Sequence, residues 1–194
     1  MNRSLGLLLL AALLIAPLNA GAQVPVPTPT FNAQGYDDLG MHFAAPPQFH
    51  ALFQRKPVKV AELQDDPIMV AGWTTYAQHP HRLLIAQAHF AGNLDGWDAT
   101  YTQTLRNQGE GTLLKNRQSI TLKNGMPARY LELTTGTGFD VSKGYIVMWA
   151  DGQRGVALIL TSLVGELDEK AAKEILLGDA SAVRYPLYRE QDGP

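Results

Sequence analysis

Apolar and polar residues alternate along the second half of the chain in runs that read as strands. From Arg117 to Val164 the pattern predicts three long antiparallel strands, a shorter one and their turns. Asn124-Gly125 lies between the strand-like Arg117–Leu122 and Ala128–Thr135. Asn-Gly most readily gives two successive residues with φ > 0, so it marks a hairpin. Thr135–Gly138 reads as a loop, Tyr145–Trp149 as a strand, Asp151-Gly152 as a turn and Val156–Leu163 as a further strand. In that last strand Val156, Leu158 and Leu160 share one face, and Ala157 and Ile159 the other. Both faces are apolar, which predicts a central strand covered on both sides.

Upstream, Leu39–Phe43 has the short alternation of an edge strand, stopped by Pro46-Pro47. Phe49–Leu63 is ambiguous: Phe49, Leu52 and Phe53 fit one helical turn, whereas Val58, Val60 and Leu63 lean toward a strand. Ile68–Tyr76 and Arg82–Phe90 form a strand pair joined by Ala77–His81. The Ala91–Gly96 loop ends at Trp97-Asp98, with Asp98 expected as the N-cap of a helix running to about Gln108, closed by Gly109 and Gly111. A second helix is expected over Leu167–Leu177, with Asp168 or Glu169 at its positive end and Gly178 after it. About seven strands, mostly joined by hairpins, with two or three helices between runs of strands, define an α+β fold: a mostly antiparallel sheet with helices packed on its faces.

The N-terminus adds a targeting expectation. Arg3, the apolar run Leu5–Ala16, Pro17 and the small residues Ala20-Gly21-Ala22 read as an export signal cleaved after Ala22. The alternative is a retained membrane anchor, but that apolar run, at ~1.5 Å per residue, spans only ~18 Å against a hydrocarbon core of ~30 Å; with the signal cleaved, no stable membrane insertion is expected. Residues 1–22 are thus the signal peptide, 23–35 a Pro-rich extended linker carrying Pro25, Pro27 and Pro29, 36–185 a single domain and 186–194 a surface tail. The formal net charge of −2 becomes −3 once Arg3 is removed. A weakly acidic chain without a basic block argues against nucleic acid and against an anionic membrane surface. There is no cysteine, which excludes disulfides, thiolate metal sites and cysteine nucleophiles. The mature chain is expected to be soluble, in the periplasm or secreted.

The element order, with Asn124-Gly125-Met126-Pro127-Ala128 leading a strand and a C-terminal helix following directly after the Asp151-Gly152 hairpin, resembles the PsbP-like superfamily over roughly residues 36–185. The resemblance implies an antiparallel sheet between helices. It also implies action by binding, since relatives include an extrinsic photosystem II subunit, a nuclear-import factor that binds the GTPase Ran, and bacterial exported proteins. It carries over no site residue, because the matching motif belongs to the scaffold.

Candidate chemistry is sparse. His79-Pro80-His81 places two imidazoles at a hairpin tip, where a metal needs a third ligand from elsewhere; a turn explains the same string. Asn93-Leu94-Asp95-Gly96-Trp97-Asp98 is dense in oxygen donors. An EF-hand frame with Gly96 sixth, however, puts Ala91 and Thr102 where carboxylates are needed. Ser119, Ser142, Ser162 and Ser181 lie in no nucleophile motif. Asp37-Asp38, Asp65-Asp66 and Glu166, Asp168 and Glu169 are carboxylate groups suited either to acid/base work or to a solvated surface. Gly136-Thr137-Gly138 lacks the lysine and helix of a phosphate loop. Trp73 and Trp149 fit a core, whereas Trp97 sits in a Gly-rich stretch where an aromatic can anchor a partner or pack over its own helix.

These readings favour a non-enzymatic exported binding or accessory protein with a protein partner in the cell envelope. The expected contacts are Asn93, Asp95, Trp97 and Phe139, on the loops Gly92–Trp97 and Thr135–Gly144, with no cofactor. The alternatives are a small hydrolase or metal-dependent enzyme using His79, His81 and nearby acids, and a small-molecule or lipid carrier with a cavity between sheet and helices.

Overall fold

The computed structural model describes residues 35–38, 41–55, 60–76, 80–108, 111–122, 125–136, 141–163, 167–177 and 182–184. The expected signal peptide, the Pro-rich linker and the C-terminal tail lie outside them. The strands are β1 (Gly35–Asp38), β2 (Met41–Ala44), β3 (His50–Gln54), β4 (Ile68–Thr74), β5 (Arg82–His89), β6 (Leu113–Thr121), β7 (Pro127–Thr135), β8 (Ser142–Ala150), β9 (Arg154–Leu163) and β10 (Ala182–Arg184). Two helices, α1 (Leu94–Gln108) and α2 (Glu169–Leu177), follow β5 and β9, and Val60–Glu62 forms a 3₁₀ turn.

Seven strands form one antiparallel sheet in the order β3-β4-β5-β9-β8-β7-β6, so β9 is the middle strand, as its two apolar faces require. Val156, Leu158 and Leu160 join a core with Ala172 and Leu176 of α2. Ala157 and Ile159 join a second core with Trp97 and Tyr101 of α1. The protein is therefore an α+β sheet with a helix on each face, and among the described residues no helix is long and apolar enough to cross a membrane.

Two sequence expectations change. Leu39–Phe43 is not an edge strand of the main sheet. Met41–Ala44 is the middle of a second, three-stranded sheet, β1-β2-β10, where it pairs with Ala182–Arg184 far along the chain. Phe43 turns from there onto Trp73, ring centroids 4.8 Å apart, and closes the α2-side core. The ambiguous Phe49–Leu63 stretch resolves into β3 and then the 3₁₀ turn, because Phe49 is fully buried and its N–H bonds back to the Pro46 carbonyl at 2.9 Å. The central hairpin forms between the two strands expected to flank it. Leu122 N–H bonds to the Met126 carbonyl and Gly125 N–H to the Leu122 carbonyl, both at 2.9 Å, closing a three-residue loop with Gly125 at φ 83°. Asn124 lies outside the described residues.

Candidate functional site

Helix α1 starts at Leu94, earlier than the Asp98 cap expected from sequence. Asn93 is the cap: its Oδ1 accepts the Gly96 N–H at 3.0 Å, and its carbonyl accepts the Trp97 N–H at 3.0 Å. Asn93 carries the same capping chemistry as Asp98 more than a turn earlier. Once the helix starts there, Asp98 falls on the inner side of the second turn.

The early start turns Trp97 inward. Its ring is fully buried, its indole N–H donates to the Val156 carbonyl at 3.0 Å, and the Phe90 and Tyr101 rings lie 5.5 and 5.2 Å away. The expectation that Trp97 meets a partner is corrected: the indole lies over Gly155, where a Cβ would come within 2.3 Å of it. Burying such a ring is worth about 4–6 kcal/mol, so it anchors the helix start to the sheet. Burial also pushes the Tyr101 hydroxyl pKa up.

Asp98 is the hub of a charged network. Its Oδ2 is 3.2 Å from Arg129 Nε and its Oδ1 3.3 Å from Arg117 Nη2, and only 6% of the carboxylate side chain is exposed. Arg129 also reaches Asp95, 2.6 Å from Nη2 to Oδ1, and donates to Ser119 Oγ. A β-bulge brings Arg117 to this face. Lys115 pairs with Glu132 and Gln118 with Tyr130, so Asn116 and Arg117 together oppose Leu131. The extra residue flips the alternation and re-aims Arg117 from the α2 face to the α1 face. Asn116 takes the left-handed conformation that the bulge needs, φ 50°, the only non-glycine residue with positive φ among the described residues.

The result is a fixed polar surface. Asn93 and Asp95 are exposed at its upper end, the side chain of Asp95 by 81%, and the outer strand β6 runs beside them with Lys115 to Ser119 exposed. Arg117 and Arg129 were not singled out from the sequence, and Ser119 was considered only as a nucleophile. The available signal was Arg129 interrupting the apolar run Ala128–Leu133. Phe139 lies outside the described residues. The calcium-like reading of 93–98 loses its ligands to the protein's own groups, since Asn93 caps the helix and Asp95 and Asp98 face arginines.

Of the two hairpin-tip histidines, His79 lies outside the described residues. His81 Nδ1 lies 2.8 Å from Ser162 Oγ, a pairing not anticipated from sequence. Ser162 is only 5% exposed and sits across the sheet from Lys143. A hydrogen bond with Tyr145 raises the Lys143 pKa, which keeps it charged and unsuited to deprotonate a serine. Among the described residues no group of three or more His, Asp or Glu side chains could hold a metal ion. Trp73 and Trp149 are core residues, and Asp168 caps α2 by accepting the Ala171 N–H at 2.8 Å. A groove of about 690 Å³ runs along α2, lined by Asp168, Glu169, Lys170, Lys173, Glu174 and Leu177.

No protein-family model matches the chain, and no curated protein matches it. Among solved structures the chain is similar to cyanobacterial PsbP (CyanoP) from Synechocystis sp. PCC 6803. The TM-score is 0.48 and the identity 14%, covering 77% of this chain and 88% of that one. At that identity the similarity assigns no residue a role.

Proposed function

We propose that the protein is an exported, non-enzymatic binding or accessory protein of the cell envelope, whose protein partner docks on the face made by the start of α1 and the β6–β7 hairpin. The observation that carries this reading is the Asp98 hub. The contacts of buried Asp98 with the largely buried Arg129 and the half-exposed Arg117 hold the start of α1 against the outer strands, and a preorganised surface loses little entropy on binding. Export rests on the Arg3, Leu5–Ala16 and Ala20-Gly21-Ala22 pattern. The test is affinity capture from envelope extract by the immobilised protein and by an Asn93→Arg/Asp95→Arg variant. A partner retained by the first and lost by the second supports the docking face. Equal retention by both rules the face out.

A second reading, a small hydrolase, is favoured by the 2.8 Å contact of His81 with Ser162. It requires Ser162 to react with an active-site-directed fluorophosphonate and His81→Ala to abolish the labelling. An unlabelled protein removes it.

A further inference from the structure

We propose that the cleft between the last turn of α1 and the β6 bulge binds an oxyanion, a carboxylate or phosphate carried on a body with an apolar part. The half-open cleft has a volume of about 280 Å³ and is lined by Arg106, Leu114, Lys115, Asn116, Arg117 and Leu131, with no carboxylate among these described residues. Arg106 enters from α1 and has no ion pair among the described residues, while Arg117 enters from the bulge with 46% of its side chain exposed. Two guanidinium groups arriving from different elements suit an oxyanion, which takes paired N–H donors from each. Leu114 and Leu131 supply the apolar part of the wall.

Charge and backbone strain point the same way. Asp98 and Asp95 are the two carboxylates of the neighbouring network, set against Arg117, Arg129 and the unpaired Arg106. Among the described residues this leaves one positive charge in excess, on a chain whose net charge is −2. Lys115 adds to the field, although its strand register sets it opposite Glu132 on the other face. The rim residue Asn116 is held at φ 50°, and left-handed backbone away from glycine concentrates at places that bind. The cleft shares Lys115, Asn116 and Arg117 of strand β6 with the proposed docking face and lies at the opposite end of α1 from Asn93 and Asp95. A free organic acid and an acidic side chain of a docked protein carry the same oxyanion, so the probes must separate the two.

The test is an amide NMR titration of the purified protein with sodium succinate, inorganic phosphate and polyglutamate, each at constant ionic strength. It is repeated on Arg106→Gln, which removes an exposed group, and on Asn116→Asp, which keeps the left-handed preference and adds a carboxylate at the rim. The expected result is saturable shifts confined to Arg106 and Leu114–Arg117, weakened by about tenfold or more in both variants. Saturation by succinate or phosphate identifies a free small anion as the ligand class; saturation by polyglutamate alone identifies an acidic segment of a partner. Shifts that never saturate, that scatter over the surface, or that persist unchanged in both folded variants overturn the proposal.

Discussion

Asp98 Oδ2 lies 3.2 Å from Arg129 Nε, and this contact ties the second turn of α1 to strand β7 with 6% of one side chain and 16% of the other exposed. Removing Asp98 leaves the largely buried Arg129 guanidinium with only the exposed Asp95 as counter-charge among the described residues. Asp98→Ala is expected to cost about 3–5 kcal/mol. The loss is read as a lower urea midpoint at unchanged slope, with a Tm drop on the order of 10 °C. A loss under about 1 kcal/mol would place the pair with solvated surface ion pairs. The Arg117 contact, on a half-exposed side chain, contributes less.

Gly155 reports on the placement of Trp97. A Cβ there would sit 2.3 Å from the indole, and the ring is packed against the sheet with no room to withdraw. Gly155→Ala is expected to destabilise by about 1–3 kcal/mol or more and to shift the Trp97 fluorescence. Unchanged stability would mean that the indole is not seated on the sheet.

The bulge makes a sharper prediction about backbone. At φ 50°, Asn116→Gly is expected to leave stability within a few tenths of a kcal/mol, whereas Asn116→Val is expected to cost about 1–2 kcal/mol. Urea unfolding of the two variants separates them. Valine tolerated as well as glycine would contradict the left-handed assignment.

The hydroxyl of Tyr130 is buried with no hydrogen-bond partner among the described residues, and burial, with Glu169 next, raises its pKa. The sign follows from linkage. Above about pH 10 an unfolded tyrosine ionises while the buried one stays neutral, so stability present below about pH 10 falls as pH rises. Lys143, whose pKa is raised first by the Tyr145 hydrogen bond, adds a loss in the same direction and pH range. Tyr130→Phe is expected to match or exceed wild-type stability at pH 8 and to lose less of it between pH 9 and 11. Thermal unfolding across that range checks both, and a destabilised Tyr130→Phe at pH 8 would mean that the hydroxyl has a partner.

The large pattern was legible in the sequence because periodicity reports burial. Alternating apolar residues in Val156–Leu163 named the two faces of β9 and hence its central place. The turn at Asp151-Gly152 was legible from its residue types, with Gly152 at φ 87°. The site was much less so. Asn93 and Asp98 are equally good caps on paper, and only the docking of Trp97 against the sheet decides between them. The bulge left no composition signal, since an asparagine in a polar strand looks like any outer-strand residue, so the re-aiming of Arg117 toward Asp98 was invisible. The second sheet was missed because β10 pairs with β2 from the opposite end of the chain, and local pattern says nothing about such distant pairing.

The most direct measurement is hydrogen exchange on the complex formed when the immobilised protein captures its envelope partner. Slowed exchange confined to residues 92–98 and to β6, relative to the free protein, is the expected result. Protection centred instead on β3 or α2, or an extract from which no protein is retained, contradicts docking on the face that Asp98 holds in place.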